Sequence, residues 1–127
     1  MTTVKSKILI IDEQGFSRIC SALLVSCGYQ ADIVARIDDL PEKLANNTYD
    51  LVVTSYPYGS ALFGALREQN IPIIILTDGI DERLISILND LQQSCCMIKP
   101  VDYDKFRSMV KQAVERTLQY SGGYCIV

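Results

Sequence analysis

Two carboxylates stand side by side at Asp12 and Glu13, directly after the apolar run Lys7-Ile8-Leu9-Ile10-Ile11. Paired acids at the end of such a run can hold a hard cation through oxygen. An isolated pair would equally well cap the next helix and meet its dipole. Other polar residues close three further apolar runs: Ser55 after YDLVVT (49–54), Thr77 after 71–76, and Lys99-Pro100 after SCCMI (94–98). Brought together, they make a pocket of two carboxylates, two hydroxyls and one ammonium, and that coincidence favours a shared pocket over a helix cap. The chain contains no histidine, which removes His-based triads, His general bases and most zinc or iron sites. Ser55 therefore has no imidazole to activate it as a nucleophile.

The elements that must position these residues follow from the hydrophobic periodicity. The 127 residues are 49% apolar and 21% charged, with a net charge of −3. That length and composition specify one packed domain. No Lys/Arg cluster marks a nucleic-acid footprint, and the longest apolar runs, ILII (8–11) and IIIL (73–76), fall far short of the ~18 residues that span a bilayer. The runs at 7–11, 29–35, 49–54, 71–76 and 94–98 read as strands, several of them continuous enough to be buried on both faces. Between them lie helical-period stretches: 16–27 with the stripe Phe16, Ile19, Cys20, Leu23 and Cys27, closed by Gly28; a second starting at Asp38 or Asp39 with Pro41 in its first turn; 60–69; 81–91 with Leu84, Ile87, Leu88 and Leu91; and a last helix capped by Asp102, with Tyr103, Phe106, Val110, Ala113, Val114 and Thr117 on one side. Five βα units in series make an α/β protein with a parallel sheet wrapped on both faces. In such a sheet the site lies beyond the carboxyl ends of the strands, where the five polar residues sit.

With those residues in place the chain resembles response-regulator receiver domains of bacterial two-component signalling. The resemblance is carried by KILIIDE (7–13), YDLVVTS (49–55), IPIIILT (71–77) and MIKP (97–100), in order and at strand ends, and covers about residues 5–118. It implies a CheY-like, flavodoxin-like (βα)5 fold with strand order 2-1-3-4-5. It also implies a domain that takes a phosphoryl group from a histidine kinase onto an aspartate at the end of strand three. In this resemblance Asp12 and Glu13 match the acid pair that holds Mg²⁺, Thr77 matches the switch hydroxyl, and Lys99 and Pro100 match the Lys-Pro pair, whose peptide bond is usually cis.

The departures decide the functional expectation. Ser55 occupies the phosphoacceptor position, the loop Ser55-Tyr56-Pro57-Tyr58-Gly59 is about four residues short for the family, and Cys96 stands where the family has its aromatic switch residue. Asp50 lies ~16 Å along an extended strand from Ser55 and so belongs to the other end of the sheet. The sequence thus predicts a pseudo-receiver that acts by protein contact without aspartyl phosphorylation, is not an enzyme, needs no cofactor, and binds Mg²⁺ at Asp12 and Glu13 weakly or not at all. Lys99 is expected to neutralise the acid pair in a salt bridge. The alternative is a receiver still switched by Ser55 phosphorylation, a ligand or thiol oxidation.

The resemblance also implies a partner surface on the fourth helix, fifth strand and fifth helix, for a histidine kinase, an effector domain or a second copy. The helical wheels put Ile85, Met109 and Leu118 on the margins of the core stripes, which nominates them for that surface. Neither membrane nor nucleic acid is an expected partner. Five cysteines (20, 27, 95, 96 and 125) without a secretory signal read as cytoplasmic thiols, mostly core residues. Residues 1–120 are expected to form the domain and 121–127 a flexible tail.

Overall fold

Strands β1 (Lys7–Ile11), β3 (Leu51–Tyr56) and β4 (Ile73–Thr77) are near-continuous apolar runs, buried along almost their whole length. Only a strand covered on both faces can use such a run. The computed structural model describes residues 6–34, 36–56, 58, 63–91, 93–117 and 124–126. Among these, β2 (Gln30–Ile33), β5 (Ser94–Ile98) and β6 (Tyr124–Ile126) complete a sheet of order β2-β1-β3-β4-β5-β6, every neighbouring pair parallel. The five-stranded order 2-1-3-4-5 is as the sequence predicts. The sixth strand corrects the tail assignment for 124–126, since Tyr-Cys-Ile is a strand-forming triplet that extends the sheet beyond β5.

Alternation along the strands divides the core in two. Leu9, Ile11, Val52, Ile73, Ile75 and Cys96 pack with residues of α2 (Leu40–Asn46), α3 (Phe63–Arg67) and α4 (Glu82–Leu91). Ile8, Ile10, Leu51, Val53, Ile74, Leu76, Cys95 and Met97 pack with residues of α1 (Gln14–Ser26) and α5 (Tyr103–Glu115). The vicinal cysteines therefore serve opposite layers. Gly28 ends α1 at φ +94°, a left-handed position that glycine takes without a Cβ clash. Asp102 caps α5, accepting from the amides of Asp104 and Lys105 at 3.0 and 3.2 Å.

Three helical-wheel readings are corrected. Ile19 is 52% exposed and Cys27 is exposed, because the buried line of α1 runs through Ser17, Cys20 and Leu24. Ser17 can enter the core because its hydroxyl donates to the Asp12 carbonyl at 2.9 Å, so a polar residue sits where the wheel demanded an apolar one. On α5, Tyr103 is 45% exposed and Thr117 is exposed. Met109 is buried beside Phe106, Val110 and Ala113, so it belongs to the core and not to a partner surface. Ile85 is half-buried and packs on the α4 layer. Leu118 lies outside the described residues.

At the amino ends of the strands, Lys7 donates its backbone amide to Asp50 at 2.9 Å and pairs with Asp32 at 3.6 Å. The buried Tyr49 donates its phenol to Asp32 at 2.8 Å. Burial, that hydrogen bond and the carboxylate charge push the Tyr49 phenol above its usual range. The unfolded chain therefore releases this proton first. The stabilisation is complete below about pH 10, the ordinary tyrosine value, and is lost as pH rises beyond it. Urea titrations between about pH 9 and 11 are expected to show a steeper loss of stability for the native chain than for Tyr49→Phe; parallel curves would show the tether to be idle. Thiol labelling checks the α1 correction. Burial and the nearby charge of Asp12 raise the Cys20 thiol to about 12, so the exposed Cys27 is expected to alkylate at once and Cys20 only on unfolding. Equal rates would overturn the assignment.

Candidate functional site

The carboxyl ends of β1, β3, β4 and β5 converge on Asp12. Its side chain is 3% exposed, held where β1 turns into α1. Oδ1 accepts from the Glu13 amide at 2.7 Å and from the Ser55 hydroxyl at 2.8 Å. Ser55 is 2% exposed and lies in β3 opposite Leu76 of β4. The structure thus brings Asp12 and Ser55 into direct contact, with serine as donor and aspartate as acceptor. Asp12 Oδ2 is also buried, and among the described residues it has no hydrogen-bond partner.

The other predicted residues divide. Thr77 is buried at the end of β4; its hydroxyl donates to the Gly79 carbonyl at 2.7 Å and accepts the Gly79 amide at 3.3 Å, so it shapes the turn after β4. Lys99 follows β5, and its amide donates to the Thr77 carbonyl at 2.7 Å. The Lys99-Pro100 bond is cis. The expected salt bridge is corrected: ion pairs among the described residues join Lys7 to Asp32, Arg67 to Glu68 and Arg107 to Asp104, and Lys99 belongs to none. Its ammonium lies 5.7 Å from the centroid of the Phe16 ring on α1, a cation–π distance. The Ser55 hydroxyl fills the hydrogen-bonding role at Asp12 that the sequence assigned to lysine. Glu13 is exposed, Pro100 is exposed, and Cys96 is buried in the α4 layer below the pocket. Among the described residues no group of three or more Asp, Glu, Cys or His is placed to hold a metal ion.

Two residues that the sequence reading passed over enter the site. Tyr56, next to Ser55, donates its phenol to both Asp81 carboxylate oxygens, at 3.3 and 3.2 Å. Burial and the Asp81 hydrogen bond raise its pKa above the ordinary phenol value. Asp81 also accepts the Leu84 amide at 2.8 Å, which makes it the side-chain cap of α4. An open cleft of about 400 Å³ runs between them, lined by Tyr56, Thr77, Asp78, Gly79, Ile80 and Asp81. Asp81 carries a readable signal, an acid just before an apolar helical stripe; Tyr56 carries none, because its partner is 25 residues away. Of the short loop after Ser55, only Tyr56 and Tyr58 fall within the described residues.

This architecture is the fold of response-regulator receiver domains. Similar solved structures include a two-component response regulator from Clostridium difficile, with TM-score 0.78, 24% identity, and 91% of this chain and 100% of that chain covered. A signal receiver domain of an HD domain-containing protein from Pseudomonas fluorescens matches with TM-score 0.76 at 21% identity, covering 92% of each chain. A CheY-like receiver domain protein from Methanospirillum hungatei gives TM-score 0.77 at 18% identity, covering 90% and 97%. No protein-family profile matches the chain, and no curated protein sequence does.

The Asp12–Ser55 contact is testable by itself. Ser55→Ala leaves a buried carboxylate oxygen with the Glu13 amide as its remaining donor, and is expected to cost about 1–3 kcal/mol, the range for stranding a buried polar group. Urea denaturation measures it; an unchanged midpoint would show that the hydroxyl contributes nothing.

Proposed function

We propose that the domain is a pseudo-receiver of two-component signalling: a receiver that works by protein contact, without aspartyl phosphorylation and without catalysing a reaction. The observation that carries this is Ser55, buried at the phosphoacceptor position with its hydroxyl committed to Asp12. In-line attack on phosphorus calls for an ionised nucleophile or a base to ionise one. Among the described residues the side chain that accepts from Ser55 is Asp12, a weak base for an alcohol.

The donor set also argues against a resident Mg²⁺. That ion asks for near-octahedral oxygen ligation, usually one or two carboxylates with waters and phosphate. Here one carboxylate oxygen of Asp12 is already bonded to Ser55 and Glu13, the second is enclosed, and Glu13 is exposed. No cofactor enters this reading.

The partner is a protein in the cytoplasm: a histidine kinase, an effector domain or a second copy. It is met on the α4/β5/α5 side, where Ile98 and Tyr103 are 44% and 45% exposed. Among the described residues no helix is long and apolar enough to cross a membrane, and no basic cluster invites nucleic acid.

Incubation with acetyl phosphate or a phosphoramidate, read by intact mass, is expected to add no phosphoryl group. Millimolar Mg²⁺ at constant ionic strength is expected to leave the melting temperature unchanged, because a ligand far below its Kd contributes almost nothing to stability. Ser55→Asp is expected to regain weak Mg²⁺ binding at most. Phosphorylation of the native chain, or a saturable Mg²⁺ shift, would overturn the proposal.

A further inference from the structure

The sheet has two edges, and they are unlike. At one, β2 carries Asp32, whose carboxylate takes the Tyr49 phenol and pairs with Lys7. A charge set into an edge strand guards against pairing with another chain. At the other, β6 lies outside β5, and among the described residues no strand lies beyond it. Residues 121–127 contain no Asp, Glu, Lys or Arg. One side of the β6 backbone therefore faces outward with its amides and carbonyls directed at the place of a next strand, and no charge in the segment opposes one.

Apolar surface borders that edge on one face. Ile126 shares a rung with Cys96, which belongs to the layer packed with α4. Ile98 follows Cys96 by two positions along β5 and so lies on the same face. Both isoleucines are 44% exposed.

We propose that β6 pairs antiparallel with β6 of a second copy, about a twofold axis through residue 125 and perpendicular to the sheet, so that two six-stranded sheets become one. The proposal deepens, and rests on, the reading of the domain as one that works by protein contact; the chemistry at Ser55 is tested separately.

The unlike edges choose the second copy and its orientation. An uncharged edge is compatible with itself. Pairing β6 with β2 of another copy sets it beside Asp32, and that head-to-tail contact leaves a free edge at each end, so it does not close. The twofold pairing is isologous, uses both β6 edges at once and stops at two chains. Its register sets Ile126 diagonally across from its own copy on one face, about 7–8 Å apart, within reach of long side chains. The two then cover each other's exposed apolar surface. A three-residue pairing is a small interface of the weak, transient class, so the dimer forms in a concentration-dependent way.

Sedimentation equilibrium of the full chain from micromolar to millimolar concentration tests this, with backbone amide exchange at both extremes. The apparent mass is expected to rise from one chain toward two and no further. The β6 amides are expected to exchange several-fold more slowly at the high concentration. Ile126→Glu sets like charges on either side of the axis. It is expected to move half-association to a several-fold higher concentration and to leave the melting temperature of the dilute protein unchanged. Tyr103→Glu, at the exposed start of α5, is expected to leave association as it is. A chain still monomeric at millimolar concentration, or a mass that climbs past two chains, would overturn the proposal. So would association lost in Tyr103→Glu and kept in Ile126→Glu, an outcome that moves the contact to the helical face and leaves the protein-contact reading standing. Should Ile126→Glu fail to fold, β6 amide exchange in the native chain decides, and protection independent of concentration overturns the edge pairing.

Discussion

A parallel sheet buried on both faces leaves its polar chemistry nowhere to stand except at the strand ends. Ile8–Ile11, Leu51–Val53 and Ile73–Leu76 spend their side chains on the two apolar layers. A buried polar atom in these layers is costly without a partner; Ser17 and Ser94 have one, whereas the buried Thr54 hydroxyl has none among the described residues. Asp12, Ser55 and Thr77 are therefore gathered at one end by exclusion from everywhere else, and Lys7, Asp32, Tyr49 and Asp50 gather at the other for the same reason. The division of labour in the molecule follows from that constraint. One end is a tether, the other a pocket.

Within the pocket, a hydroxyl rather than an acid at position 55 decides who bonds to whom. Two carboxylates at positions 12 and 55 would repel, and each would want a cation. Serine converts the contact into a donor–acceptor pair that satisfies one oxygen of Asp12 without help from Lys99. The lysine is then free to lie over the Phe16 ring, and the site coheres through one neutral hydroxyl. The Ser55–Asp12 contact stands where the sequence led one to expect a Lys99–Asp12 ion pair, which is absent among the described residues.

The layered architecture was legible because long β-branched runs and amphipathic stretches alternate without ambiguity; the limits read for β5 coincide with the observed strand. The polar strand-end residues were legible from the same logic. The errors fall where one side chain breaks the apolar rule. Ser17 bonds to a carbonyl, occupies a core position and rotates the true face of α1 away from Ile19. Met109 lies beside Val110 on a buried face of α5 wider than a narrow wheel stripe allows. β6 was missed because three residues are too few to show a period, and its pairing with β5 is a property of the sheet. The Tyr56–Asp81 bond has no local signature at all.

That last bond has a mechanical meaning. Asp81 Oδ1 is the acceptor for the first-turn amide of α4 and also lies within reach of the Tyr56 phenol. The end of β3 and the start of α4 are thus yoked through one carboxylate. Displacing the tip of β3 withdraws the phenol and shifts the carboxylate's hold toward the helix; a partner that tilts α4 pulls the carboxylate the other way. Any coupling carried by this contact is reciprocal by thermodynamic necessity, and the contact itself is a pair of hydrogen bonds with no covalent part.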